Sequence, residues 1–484
     1  MAKNIDFMGA VFPDVPSIRL PQQGGGLVSF DDTTDANATA SDIAEGKTAY
    51  VNGVKLTGTA SGGSANIQAL SVTQNGTYTA SGGVDGYSPV TVSVSGGGGG
   101  SVSPKQINFI DYDGTIVDSY TASEWANVTA LPSNPSHTGL TAQGWNWTKA
   151  QIDAQLTALP NGDVWVGQMY ITASGDTEID VVMHEGRLSP IMSLPVNGTI
   201  TVDWGDGTTV DTVTGTSITT PVDVPHTYAY AGAYTITIHV VSGSFRFSNP
   251  STNTLLRKNT TLNENKVYAN CIKATRIGNG ISSIYSYAFS YCTSLEYITI
   301  PSAVTQWGNN AFDNCSSLVS VTVPNGVTTI SGYSFRSNAS LASVSIPSGI
   351  TSIGNYAFAT CSSLASVTIP NISSLSSNSF SNCSSLASVV MPDSITSMGV
   401  NAFNNCFSLA TITIPSGIAI IQNGAFNNCL GMKEYHLLPT TPPSIANPFG
   451  TMPSDCIIYV PSASLEAYQT ATNWSTYASY MQGE

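Results

Sequence analysis

The sequence predicts a mainly β, multidomain chain whose C-terminal part is a solenoid of stacked coils, and three observations predict it. Phenylalanine recurs at Phe289, Phe312, Phe335, Phe358, Phe380, Phe403, Phe426 and Phe449, in steps of 23 residues broken once by a step of 22. Self-similarity at such a fixed period is the mark of a repeat architecture. Charged residues make up only 9% of the 484 positions, against about 25% in an average domain. Ser, Thr, Asn and Gly take their place, which favours strands joined by Gly/Asn turns over solvated helices. Finally, Gly96 to Gly100 and Ser101 form a flexible linker that separates an N-terminal part from the rest.

The repeat unit reads AFxxCxSLxSVTIPxGITSIGxx. Cys292, Cys315, Cys361, Cys383, Cys406 and Cys429 stand three residues after a Phe, with Asn338 in the same place once. Leu295, Leu318, Leu341, Leu364, Leu386 and Leu409, then Met432, stand six after it. The segment Leu364 to Pro370 is a short strand, ended by a proline that cannot donate the next ladder bond. The GITSIG segment supplies a second short extended piece. One unit cannot bury its apolar side alone, so the units stack and share ladders of Phe, Leu, Val and Ile. In this register the cysteines are expected to be small, buried, reduced hydrophobes. No His lies among them, so a zinc ladder is not expected.

This unit resembles the leucine-rich repeats of the BspA type, found in bacterial surface proteins and phage proteins. Residues 271–440 carry the resemblance. The tail 441–484, with Ile457 to Pro461, Ser464 to Tyr468 and Asn473-Trp474, looks like the terminal cap of such arrays. Between the inward Leu, Val and Ile, each strand is expected to expose two side chains: Tyr297 and Thr299, Ser320 and Thr322, Ser343 and Ser345, Ser366 and Thr368, Ser388 and Val390, Thr411 and Thr413. The hydroxyls of this ladder are the candidate receptor-binding residues.

The N-terminal half divides further. Residues 1–35 read as an attachment segment. Residues 36–95 hold two short modules: Asp42 to Thr59, where Asn52-Gly53 between apolar runs signals a hairpin, and Val72 to Val92. Both are similar to sequences of phage tail and fibre proteins. After the linker at 96–104, residues 105–165 read as a small α+β module with a helix near Thr148–Leu159. Its Asp111-Tyr112-Asp113-Gly114-Thr115 matches the nucleophile loop of haloacid-dehalogenase-type phosphatases. The surrounding residues cannot supply the doubly wound frame of that family, so a strand and an Asp-Gly turn are expected instead. In residues 166–250, Asp203-Trp204-Gly205-Asp206-Gly207 and His226-Thr227-Tyr228 resemble the PKD domain. That resemblance implies an immunoglobulin-like β-sandwich with Trp204 as a core anchor, and Asp203 and Asp206 are expected to cap turns rather than hold calcium.

The net charge of −15 and the lack of any Lys/Arg cluster argue against a nucleic-acid partner. No apolar run approaches the roughly 18 residues of a membrane span, and the N-terminus lacks the apolar stretch of a secretion signal. No cofactor or metal site is expected. No GxSxG, HExxH or Walker loop occurs, so the expected function is binding. The resemblances imply a phage tail-fibre or receptor-binding protein, located in the virion or in a phage-derived injection particle. It would contact tail or baseplate proteins through residues 1–95 and a host surface protein or glycan through the solenoid. A homo-oligomer, a trimer for preference, is implied in the same way. A BspA-like cell-surface adhesin and a surface-glycan depolymerase are the alternative readings.

Overall fold

The computed structural model describes residues 106–158, 163–247, 255–257 and 268–484, and within residues 1–105 only the backbones of short strands. The chain forms two compact units, Met1–Ser103 and Pro104–Glu484. In the first unit, Ile5–Phe7 pairs antiparallel with Ala10–Phe12, and Ile18–Pro21 with Leu27–Phe30. Thr48–Val51 pairs with Val54–Thr57, the strands that flank Asn52-Gly53. Gly76–Tyr78 pairs with Val90–Val92. The attachment segment, the tail-like modules and the linker otherwise lie outside the described residues.

The second unit is mainly β and ends in a β-solenoid with few helices. Each turn of the solenoid adds two short parallel rungs. One series begins at Ile272–Arg276 and Tyr297–Thr299 and continues to Glu434–Leu437, Ile457–Val460 and Met481–Gly483. The other runs from Ser283–Ile284 to Ser444–Ile445. The segment expected as a cap thus continues both ladders, closed by the helix Leu465–Thr470 and the buried Trp474.

The period of the sequence becomes a stack of rings. Phe289, Phe312, Phe335, Phe358, Phe380, Phe403 and Phe426 lie with successive centroids 5.2–5.6 Å apart and planes within 11° of parallel. The step is close to the strand spacing of ~4.8 Å, so one ring per coil fills the core without gaps. The cysteines have a specific partner. Cys315, Cys361, Cys383, Cys406 and Cys429 each donate their thiol to the carbonyl of the Phe one coil back, at 3.1–3.3 Å. All eight cysteines are buried and none is in a disulfide. Burial pushes the Cys361 and Cys429 thiols up to about 12, so they stay protonated and unreactive. Where Asn338 stands in for Cys, its Oδ1 accepts from the Cys315 N–H at 2.8 Å, but its buried Nδ2 has no partner.

Two residues before most of these rings, and two after, the chain turns through the left-handed region, half of the time at asparagines such as Asn310, Asn378, Asn382, Asn401 and Asn405. Asparagine enters that region more readily than most other side chains. At the end of the second rung, Gly354 is required by proximity. A Cβ there would lie 2.5 Å from the Gly332 nitrogen of the preceding coil.

Residues 177–276 depart from the expected sandwich. The long strands Ile191–Asp203, Asp211–Pro225 and Gly232–Phe245, with Thr177–Met183, join the first solenoid rungs in one seven-stranded sheet. The physical reason is visible in the core: Ile179, Val202, Ile238 and Phe245 belong to the same continuous apolar cluster as the Phe stack. Phe247 bridges the two, 5.5 Å from Phe245 and 5.1 Å from Phe289. The first coil of the solenoid does what the second sheet of a sandwich would do, and the sheet in turn closes the solenoid's end.

The WGDG turn acts as a local anchor. Trp204 is buried, stacks on His226 at 4.6 Å and donates to Asp211. Asp203 caps the Gly205 N–H. Asp206 accepts from the backbone and hydroxyl of Thr208 and meets His226 at 2.9 Å. Burial would raise the Asp206 carboxyl, but the bonds from Thr208 and His226 outweigh it and hold it below the usual range.

The small module is a four-stranded sheet, Ile116–Thr121, Gln106–Ile110, Val164–Thr172 and Leu140–Trp145 in order, with the helix Lys149–Ala158. It has its own core around Phe109, Trp125, Trp145 and Trp147. Its last strand runs to Thr172, past the expected boundary at 165. Asp111 meets His137 at 2.6 Å, and Asp113 caps the Thr115 N–H. These aspartates serve the turn and an aromatic cluster, on a mixed sheet that is not doubly wound.

Candidate functional site

The strand face of the solenoid is a grid. Parallel pairing sets Ser320 beside Ser343 and Thr322 beside Ser345. It sets Ser366 beside Ser388 and Thr368 beside Val390, and Thr411 beside Glu434 and Thr413 beside His436. The two outward columns expected from the sequence therefore exist. They do not share one environment.

Over the first half of the grid the small module lies directly on the hydroxyls. Ser320 Oγ donates to the Tyr112 carbonyl at 2.9 Å. Ser345 Oγ donates to the Trp165 carbonyl at 2.7 Å and to Asn146 Oδ1 at 3.0 Å. Asn146 Nδ2 reaches the Val323 carbonyl at 3.0 Å. Trp165 Nε1 donates to Ser366 Oγ, and Thr368 Oγ1 to the Asp163 carbonyl. Gly167 passes so near Thr322 that a Cβ would fall 2.1 Å from its Oγ1. Thr299, Ser320, Thr322, Ser343 and Ser345 are buried, and Tyr297, Ser366 and Thr368 are half-buried. The expectation of a solvent-facing ladder is thus corrected for these eight residues. Small hydroxyls on a flat sheet match the backbone groups of a passing strand, and the chain itself supplies that strand.

Tyr297 is a joint. Its hydroxyl accepts from Arg276 Nη1 at 3.0 Å, and its ring lies 5.1 Å from Tyr112. Arg276 also grips both oxygens of Asp180 at 2.7 and 2.8 Å and Glu178 at 2.7 Å. This bidentate pairing raises the guanidinium pKa further and fastens the seven-stranded sheet to the first coils.

From Ser388 onward the grid is open. Ser388, Thr411 and Thr413 are exposed. Beyond them the columns continue with Glu434 and His436, Ile457 and Tyr459, and Gln482. His436 stacks on Tyr459 at 4.9 Å. Its Nδ1 lies 2.9 Å from Glu484 Oε2 and its Nε2 3.3 Å from Glu434 Oε2. One imidazole thus ties two partly exposed carboxylates into a fixed polar cluster beside the hydroxyl rows. Sequence reasoning stopped at Thr413 and missed these residues. Continuing the strand register past Met432 would have placed Glu434 and His436 outward, because Tyr435 and Leu437 take the inward Val and Ile positions.

Among the described residues no group of three or more His, Cys, Asp or Glu is placed to hold a metal, and no helix is long and apolar enough to cross a membrane. The cluster at His436 lies on an open sheet. Two clefts of the second unit lie elsewhere, beside His226 and beside Trp307.

Comparison with known proteins bears on the same region. Residues 239–365 and 328–442 match the family described as BspA type leucine rich repeat region, in six copies. No curated protein matches the chain. Among solved structures, a leucine rich cell surface protein from Faecalibacterium prausnitzii is 27% identical over 36% of this chain and 62% of its own length, with a TM-score of 0.27. The present chain therefore spans less than two thirds of that protein. The leucine rich repeat protein of T. pallidum is 24% identical over 43% of this chain and 82% of its own, with a TM-score of 0.26. A leucine-rich repeat protein from Eubacterium ventriosum is 17% identical over 47% of this chain and 77% of its own, also at 0.26. The Phe stack and the thiol ladder fall within the stretch that matches the BspA-type leucine-rich-repeat family, residues 239–442.

Proposed function

We propose that this protein is a non-enzymatic, BspA-like surface adhesin that binds a bacterial or host-surface glycan or protein through the open end of its strand face. The observation that carries this reading is the division of the grid. The chain covers the first hydroxyl rows with its own module and leaves Ser388, Thr411, Thr413, Glu434, His436 and Tyr459 uncovered. The covered half supports this reading, because there the hydroxyls already meet backbone carbonyls of the chain's own module. A surface of many weak hydrogen bonds acts best in multivalent display, where linked copies raise the effective concentration. The carboxylates of Glu434 and Glu484 are engaged by His436 on an exposed sheet, an arrangement suited to holding a partner rather than to hydrolysing one. This reading disfavours the depolymerase.

A second reading places the same solenoid at the tip of a phage tail fibre, as a homotrimer displayed on a virion. The resemblance of Asp42 to Thr59 and Val72 to Val92 to tail-protein modules supports it. Fractionation separates the two: an adhesin is found in the cell-wall fraction and a fibre in purified particles. The binding reading itself is tested by coupling the purified full chain to beads and measuring attachment to bacterial cells. Thr411→Arg with Tyr459→Ala should reduce attachment at least tenfold with the melting temperature unchanged. Undiminished attachment would overturn the open face as the binding surface.

A further inference from the structure

The second rung series carries one residue out of keeping with the rest. Its inward positions are Ile284, Trp307, Ile330, Ile353, Leu375, Met398, Ile421 and Ile445. Seven are aliphatic or Met, and one is an indole. Trp307 packs its ring against Phe312 and Phe335 at 5.2 and 5.6 Å, and only 7% of its surface is exposed. Its Nε1–H is buried and has no hydrogen-bond partner. An aliphatic side chain would fill the slot without leaving a donor unpaired, so the indole is unfavourable for folding.

Trp307 lines a cleft of about 440 Å³ together with Tyr285, Gln306, Asn309, Thr329 and Ser331. That volume lies within the range of small-ligand sites. The lining holds no charged side chain; Ile284 apart, its side chains are rings, carboxamides and hydroxyls. The Tyr285 hydroxyl donates to Gln306 Oε1 at 3.2 Å, and the Arg246 guanidinium covers its ring at 4.3 Å. Asn309 is exposed, and no side-chain partner engages it.

The turns that follow carry a second, independent irregularity. The left-handed slot two residues before Phe holds Asn310, Asn378, Asn401 or Gly424 in four coils but Tyr287, Tyr333 and Tyr356 in three, at φ of 63°, 60° and 57°. Bulky residues rarely accept that conformation, and strain of this kind gathers at functional sites. Tyr287 and Tyr333 each follow two residues after a lining residue, Tyr285 and Ser331, and Tyr333 stacks on Tyr356 at 4.9 Å. Asparagine holds the slot at Asn310, directly after Asn309, and again at Asn378 and Asn401.

We infer that the cleft around Tyr285, Trp307 and Asn309 is a binding site for a neutral saccharide. A sugar presents C–H faces to rings and hydroxyls to carboxamides at once, and it needs no charge from its host. The lining offers those groups and holds no charged side chain of its own, and the guanidinium beside it, that of Arg246, is stacked on the Tyr285 ring. The site lies on the second rung series and shares no residue with the open strand face, so it stands or falls apart from the adhesin reading.

The test is calorimetric titration of the full chain with N-acetylchitotetraose, mannotetraose and cellotetraose, and with tetragalacturonate as the anionic comparison. Ligand is taken to about tenfold above a dissociation constant of 1 mM. At least one neutral tetramer should bind and tetragalacturonate should not. Trp307→Ile, which restores the residue found in neighbouring coils, should weaken that binding at least tenfold while holding or raising the melting temperature. Asn309→Ala should weaken it several-fold without a change in melting temperature, and Tyr459→Ala should leave it unaltered. Absence of binding by all three neutral tetramers, preference for the anionic one, or binding that persists in both cleft variants would overturn the assignment.

Discussion

The two halves of the strand face have nearly the same sequence and different fates. Ser320, Ser343 and Ser366 stand in one column with Ser388 and Thr411, and the repeat assigns them the same orientation. The first three lie against the small module, and the last two face solvent. The difference is not in the repeat. It lies in Val164–Thr172, a strand from outside the array that crosses the early rungs with Gly167 at its point of nearest approach. A repeat surface is a template, and which part of it is available depends on the rest of the chain.

Substitutions can break this comparison, beginning with the core that both halves share. Phe358→Ala removes one ring from the continuous stack and should cost about 3–5 kcal/mol, read as a lowered denaturation midpoint of the whole second unit. An effect below ~1 kcal/mol would mean that the coils do not depend on an unbroken stack.

Removing the Arg276 guanidinium leaves Asp180 and Glu178 unpaired at the joint between sheet and solenoid. These groups are partly exposed, so solvent screening moderates the loss. Arg276→Ala should still cost on the order of 2 kcal/mol, with faster hydrogen exchange in Thr177–Met183 and Ile272–Arg276.

Gly167→Ala addresses the covered half alone. Its Cβ would collide with Thr322, and overpacking of this kind costs about 1–3 kcal/mol. Hydrogen exchange should rise around Ser320–Thr322 and Ser343–Ser345 and stay unchanged around Thr411–Ile414. Uniform change along the solenoid would show that the module and the array are one cooperative block.

Acid sharpens the picture in the sheet. Thr208 and His226 hold Asp206 below its ordinary value against the opposing effect of burial, and Arg257 and Ser193 do the same for Asp223. A carboxyl whose folded pKa lies below its unfolded one stabilises the fold fully above about pH 4 and loses that contribution as the pH falls through the folded value. Near-ultraviolet circular dichroism from Trp204 should therefore change below about pH 4, and Asp206→Asn should remove part of that transition.

In the open half, Ser388→Ala or Thr411→Val should alter stability by less than ~0.5 kcal/mol, as expected of exposed positions without buried partners. In the covered half, Ser345→Ala should cost about 1–3 kcal/mol, because Asn146 and the Trp165 carbonyl would lose a buried donor. Equal effects at the two positions would erase the distinction between the halves.

Much of the architecture could be read from spacing alone. The Phe, Cys and Leu steps specified the coils, their inward faces, the free thiols and the alternation of the strands, because one residue per coil must meet its equivalent in the next. The helix within Thr148–Leu159 followed from local signals in the same way, and the Asn52-Gly53 pattern has paired strands on either side of it. Periodicity is a short-range and self-referring signal, and it specifies whatever a unit does to its copy.

What a unit does to something unlike itself carries no such signature. The sequence could not show that the first coil replaces the second sheet of a sandwich, since that depends on Phe247 meeting Phe289 across elements of different kinds. It could not show that Tyr112, Asn146, Asp163, Trp165 and Gly167 meet Tyr297, Ser320, Thr322, Ser345, Ser366 and Thr368, more than a hundred positions away. Nor could it bring Glu434 and Glu484 to the same imidazole. Those decisions rest on single complementary contacts between distant segments, and only the folded chain brings them together.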